Sequence, residues 1–68
     1  MYKIVLEKLP SRIEFYMWFI KDEHNKTIAE GKWIESKNTR EECLERAQKV
    51  AKELKLDIYE GNELIVIS

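Results

Sequence analysis

The sequence predicts an α+β domain: a three-stranded antiparallel meander followed by one amphipathic helix and a C-terminal strand, β-β-β-α-β, with a single layer of helix on the sheet. Three stretches predict it. The run Ile13-Glu14-Phe15-Tyr16-Met17-Trp18-Phe19-Ile20 ends in six consecutive bulky residues, mostly aromatic, and reads as a strand with apolar side chains on both faces. Residues 39–55 open on a capping signature and then place apolar side chains at three- and four-residue spacing. Leu64-Ile65-Val66-Ile67 follows the turn dipeptide Gly61-Asn62 and reads as a further strand.

The first strand comes from Tyr2, Ile4 and Leu6 alternating with Lys3, Val5 and Glu7. Lys8-Leu9-Pro10-Ser11-Arg12 breaks it, since a proline cannot donate to a ladder. The second strand runs from about Ile13 to Asp22, and the polar turn Glu23-His24-Asn25-Lys26 leads into a third, Thr27 to Glu35. With His24-Asn25 as a two-residue hairpin loop, Asp22 faces Thr27, Ile20 faces Ala29, Trp18 faces Gly31 and Tyr16 faces Trp33. This register gathers Tyr16, Trp18, Ile20, Ala29, Gly31 and Trp33 on one face, with a large indole over a glycine. Ile13, Phe15, Met17, Phe19, Ile28 and Ile34 share the other face with Lys21, Glu30 and Lys32. A slip of one residue would exchange the third-strand contributions.

In Thr39-Arg40-Glu41-Glu42 the Thr39 hydroxyl and the Glu42 carboxylate can satisfy free backbone donors, and the acidic residues suit the positive end of the helix dipole. Cys43, Leu44, Ala47, Val50, Ala51 and Leu54 form the apolar stripe, and Glu42–Arg46, Glu45–Lys49 and Lys49–Glu53 can pair on the polar side. Ala47 and Ala51 let the helix lie close to a sheet, for which the Tyr16/Trp18 face is the natural partner. Leu56-Asp57-Ile58-Tyr59-Glu60 is compatible with a small extra strand before Gly61.

At 68 residues the chain is expected to form one domain, 1–68. A domain of this size buries roughly 60% of its unfolded surface, and metals, disulfides or oligomerisation commonly support it. Cys43 and His24 are the only residues of their kinds, which excludes an internal disulfide and a conventional zinc site within one chain. Oligomerisation is the support left open. Twelve Lys and Arg against 13 Asp and Glu give a net charge of −1, without the basic excess of a nucleic-acid binder. The apolar run 15–20 is far shorter than the ~20 residues of a membrane span. Tyr2-Lys3 leads directly into a strand pattern, not an apolar signal region, so the expected location is cytoplasmic.

Phe15 to Asp22, Asn25-Lys26-Thr27-Ile28-Ala29 and Trp33-Ile34-Glu35-Ser36-Lys37 together resemble the small bacterial YegP-like domain. In that family an aromatic strand, an Asn-containing turn, an Ile-Ala strand and an aromatic-to-Ser-Lys exit lead into a helix. The same β-β-β-α order resembles the arm-DNA-binding domain of tyrosine integrases, which lays its three-stranded sheet in a DNA groove. The resemblance covers about 13–54. The first implies a fold, the second DNA binding.

Catalysis needs a reactive group and a positioned partner. Cys43 sits near a helix start but falls on the apolar stripe, and His24 falls in a distant turn; both read as structural. There is no phosphate loop, nucleotide fingerprint or metal cluster, and no cofactor is implied. The expected function is therefore a non-catalytic, self-associating or protein-binding module. Its surface is the apolar sheet face of Phe15, Met17, Phe19, Ile28 and Ile34, rimmed by Lys21, Glu30 and Lys32. The expected partner is a second copy in a symmetric dimer, or another protein. The competing reading folds the terminal segments across that face to complete a monomer core. Edge-to-edge pairing of Leu64–Ile67 with its copy is a further route to association. The functional alternative is nucleic-acid binding, with Tyr16, Trp18 and Trp33 stacking on bases beside Lys21 and Lys32. The near-neutral charge, with Glu14, Glu30 and Glu35 on the strands, argues against it.

Overall fold

The first strand of the chain becomes the middle of a five-stranded sheet, ordered β3-β2-β1-β4-β5. The computed structural model describes residues 1–10, 14–32 and 38–68. Its elements are β1 (Lys3–Lys8), β2 (Tyr16–Lys21), β3 (Thr27–Glu30), α1 (Arg40–Leu54), β4 (Ile58–Glu60) and β5 (Glu63–Val66). β1, β2 and β3 form the expected antiparallel meander. The chain then crosses over through α1 and returns as β4, parallel to β1, with β5 antiparallel beside it. The small strand before Gly61 is thus formed, and Gly61, with φ of 60°, makes the left-handed turn into β5. The expected extension of the third strand to Glu35 and the pairing of Tyr16 with Trp33 lie outside the described residues.

The hairpin between β2 and β3 differs from the expected two-residue loop. Glu23, His24 and Asn25 form a three-residue loop, closed by the Asp22 N–H donating to the Lys26 carbonyl at 3.0 Å. The Asp22 carboxylate accepts from the N–H groups of His24 (2.8 Å) and Lys26 (3.0 Å), and Asn25 takes the left-handed position at φ 62°. The longer loop would move every later pair by one. A bulge cancels it, because Lys21 pairs with Thr27 and Ile20 with Ala29, leaving Ile28 as the extra residue. Past the bulge the expected register returns, and the Gly31 N–H donates to the Trp18 carbonyl at 2.8 Å.

The helix begins as its sequence dictates. The Thr39 hydroxyl accepts from the Glu42 N–H at 3.3 Å, and Glu14, from the start of the aromatic segment, accepts from the Arg40 N–H at 3.0 Å. It ends at Lys55 in the left-handed conformation. α1 lies on the Trp18/Ile20 face of the sheet. Under it runs a cross-strand row, Ala29–Ile20–Ile4–Ile58–Val66, and Ala47 and Ala51 close over the row with Leu44, Val50 and Trp18 packed around it. The alanines carry no bulk beyond Cβ, so the helix can approach Ile4, which is 0% exposed.

Arg40 ties the helix start to β4 through a two-pronged pair, with Nη2 2.7 Å and Nε 3.1 Å from Glu60 Oε1. The hydrogen bond from Arg40 holds the Glu60 carboxyl below its ordinary range, against the opposing effect of burial. A carboxyl depressed in the folded state contributes stability that is present above its unfolded value and lost as pH falls through the folded one. Glu60→Gln should therefore flatten the acid limb of a stability-against-pH curve while leaving the curve's shape near neutrality unchanged. Urea titrations between pH 3 and about 7 check this.

Candidate interaction surface

The helix shelters one face of the sheet, and the strand pairings set out the other. Glu30, Phe19, Val5, Tyr59 and Leu64 are successive cross-strand partners, so one row crosses all five strands opposite the helix. Val5 at its centre is 4% exposed, Phe19 and Tyr59 are half-buried, and Leu64 at the β5 edge is 43% exposed. The row is apolar from Phe19 onwards and ends on the acidic Glu30 at the other edge.

Charged side chains lie along it. Lys21 Nζ is 5.8 Å from the centre of the Phe19 ring and 2.7 Å from Glu7 Oε1, so its alkyl stem is laid beside the ring while its charge is paired. Lys3 Nζ stands 5.2 Å from the centre of the Tyr59 ring. Both cations thus stand at the aromatic row, Lys21 with its side chain only 18% exposed.

Of the residues expected on this surface, the structure brings Phe19, Lys21 and Glu30 together. Met17 pairs with Glu7 on the same side of the sheet but is buried, its sulfur receiving the Asn38 amide at 3.7 Å. Asn38 is itself fixed to Tyr16, accepting from its N–H at 2.7 Å and donating to its carbonyl at 3.1 Å. Met17 therefore anchors the surface and does not offer itself to a partner. Phe15 is half-buried ahead of β2, its carbonyl accepting from the Leu9 N–H at 2.8 Å. Ile28, the bulged residue, is 49% exposed on the β3 edge, and Lys32 is exposed beyond it. Ile34 lies outside the described residues. Val5, Tyr59, Leu64, Lys3 and Glu7 were not expected here. The alternation of Lys3, Val5 and Glu7 marks them as one face of the first strand, but only the return of β4 alongside β1 brings Tyr59 and Leu64 to that face.

The two residues weighed for catalysis are on separate elements. Cys43 faces the core from α1, and burial pushes its thiol up, with Arg46 acting weakly the other way. His24 is exposed in the hairpin loop, 3.8 Å from the Glu23 carboxylate. Among the described residues no three His, Cys, Asp or Glu are grouped to hold a metal ion, and no helix is long and apolar enough to cross a membrane.

Comparison of the chain with protein-family models, with curated proteins and with solved structures gave no match.

Proposed function

We propose that the chain is a non-catalytic association module whose contact surface is the helix-free face of the sheet, and that the partner is a second copy packed face to face. One observation carries this reading: the apolar row Phe19–Val5–Tyr59–Leu64 runs across four strands on the side that α1 does not cover. Two such faces stacked sheet on sheet would bury aromatic area at about 25 cal/mol per Å2. Lys3, Lys21 and Glu7 would supply a polar rim. Nucleic-acid binding by the same sheet is less favoured, since Lys21 is paired with Glu7 and Glu30 stands next to Phe19, where a phosphate would have to come.

Molar mass in solution tests the reading. The unmodified chain is expected to run as a dimer by light scattering at high micromolar concentration in high salt, where apolar contact persists and charge pairing is screened. Phe19→Asp should convert it to a monomer that retains the helical circular-dichroism signal, because Phe19 is only half-buried. A Phe19→Asp protein that unfolds, or one that stays dimeric, would overturn the assignment of this face.

A further inference from the structure

The two edges of the sheet are not alike, and the difference points to a second contact. β3 is flanked by Lys26 and Lys32 and ends on Glu30, charges of the sort that discourage strand addition. β5 carries one charge, Glu63 at its start, followed by Leu64, Ile65, Val66 and Ile67. Leu64 and Ile67 are exposed. At the far end of the strand, Val66, Ile67 and Ser68 form one wall of an apolar groove of about 260 Å3 against the end of α1, where Lys52 and Lys55 stand. The Glu63 end of the edge is thus acidic, and at the other end Lys52 and Lys55 outnumber Asp57, whose Oδ1 accepts from the Ser68 N–H at 2.9 Å. Among the described residues Glu63, Lys52 and Lys55 make no ion pair.

From this polarity we infer that β5 pairs antiparallel with β5 of a second copy. Antiparallel neighbours in one sheet are related by a two-fold axis perpendicular to it, so both helices lie on the same side and both helix-free faces on the other. The start of each β5 then meets the end of its partner. Glu63 of each copy arrives beside Lys52 and Lys55 of the other, and the symmetry makes the complementarity twofold. A parallel pairing would set acid beside acid. The product is a continuous sheet of twice the width, in which the apolar row that ends at Leu64 runs on into the second molecule. A short strand pair buries little area, which places the contact among weak, transient interfaces. The contact uses none of the residues of the face-to-face reading above except Leu64 at the shared border.

Charge exchange tests it. Sedimentation equilibrium is run at low salt on the unmodified chain, on Glu63→Lys, on Lys52→Glu/Lys55→Glu, and on all three changes combined. These residues are exposed, so all four proteins are expected to fold, with circular dichroism as the check. Glu63→Lys alone and the two lysine changes alone should each weaken association about tenfold, the combined protein should regain most of it, and added salt should weaken the unmodified chain. If each change alone is neutral, or the combined protein is not restored, the edge pairing is overturned. The outcome is separable from that of the face contact. A dimer broken by Phe19→Asp but indifferent to charge exchange removes the edge and keeps the face. A dimer broken and restored by charge exchange but indifferent to Phe19→Asp keeps the edge and removes the face. An assembly larger than a dimer that each set of changes reduces by one step supports both, and a chain that is monomeric throughout overturns both.

Discussion

Ile4→Ala is expected to lower the stability of the domain by about 3–4 kcal/mol, the usual cost of removing a fully buried branched side chain that its surroundings cannot replace. Ile4 is 0% exposed, with Ile20 beside it on β2 and Ile58 on β4. Ala47 and Ala51 lie over the row it belongs to. Alanines have no longer side chain to swing into the space, and the neighbours on either strand are held by the ladder. A domain of this size has only roughly 5 kcal/mol to lose, so the variant should keep about 1–2 kcal/mol and unfold at a much lower temperature and urea concentration. Urea denaturation followed by circular dichroism measures it, with Ile28→Ala on the exposed β3 edge as a control expected to stay within about 0.5 kcal/mol of the parent. A loss below about 1.5 kcal/mol for Ile4→Ala would mean that the helix settles onto the sheet and refills the space.

Gly31→Ala is expected to cost about 2–3 kcal/mol, at the upper end of what one added methyl does in a packed site. A β-carbon on Gly31 would sit 2.6 Å from Trp18 Cε2 and 2.8 Å from Cδ1. These are atoms of a rigid ring, and Trp18 is packed against the core beneath α1. The indole can yield only by lifting off that core. The glycine is therefore required for space. Tryptophan fluorescence should shift with the loss of stability, and Trp18→Leu should remove most of the penalty of Gly31→Ala, a coupling that a double-mutant cycle reads directly. Additive losses would show that the indole is not what Gly31 makes room for.

Much of this fold was legible because its signals are local. The helix of residues 39–55 announced itself through Thr39 and the Cys43–Ala47–Ala51 stripe, and it forms as α1 on the Trp18 side of the sheet. The pairing of Trp18 with Gly31 followed from counting back along a hairpin. That count reached the right pairs through a loop of the wrong length, since the bulge at Ile28 restores what the extra loop residue takes away. Alternation alone cannot reveal two compensating irregularities. The proposed association surface was only half legible. Phe19 stands where its strand parity puts it, whereas Met17, two residues away on the same side, is covered, and nothing in strand periodicity separates the two. Tyr59 and Leu64 were missed because no short-range pattern encodes which strand a returning segment will lie beside.

That returning segment has a kinetic consequence. β1 is completed on one flank by β2, a near neighbour along the chain, and on the other by β4, which follows nearly the whole sequence later. The meander can close early by hairpin zipping, but Ile4 stays uncovered on its far side until residues 58–66 arrive. Closing so long a loop is entropically slow, so the rate of folding should be set by this late docking and hardly by the helix. A nascent or truncated chain lacking those residues would hold its central strand open, with the greasiest ladder of the molecule available to any passing strand.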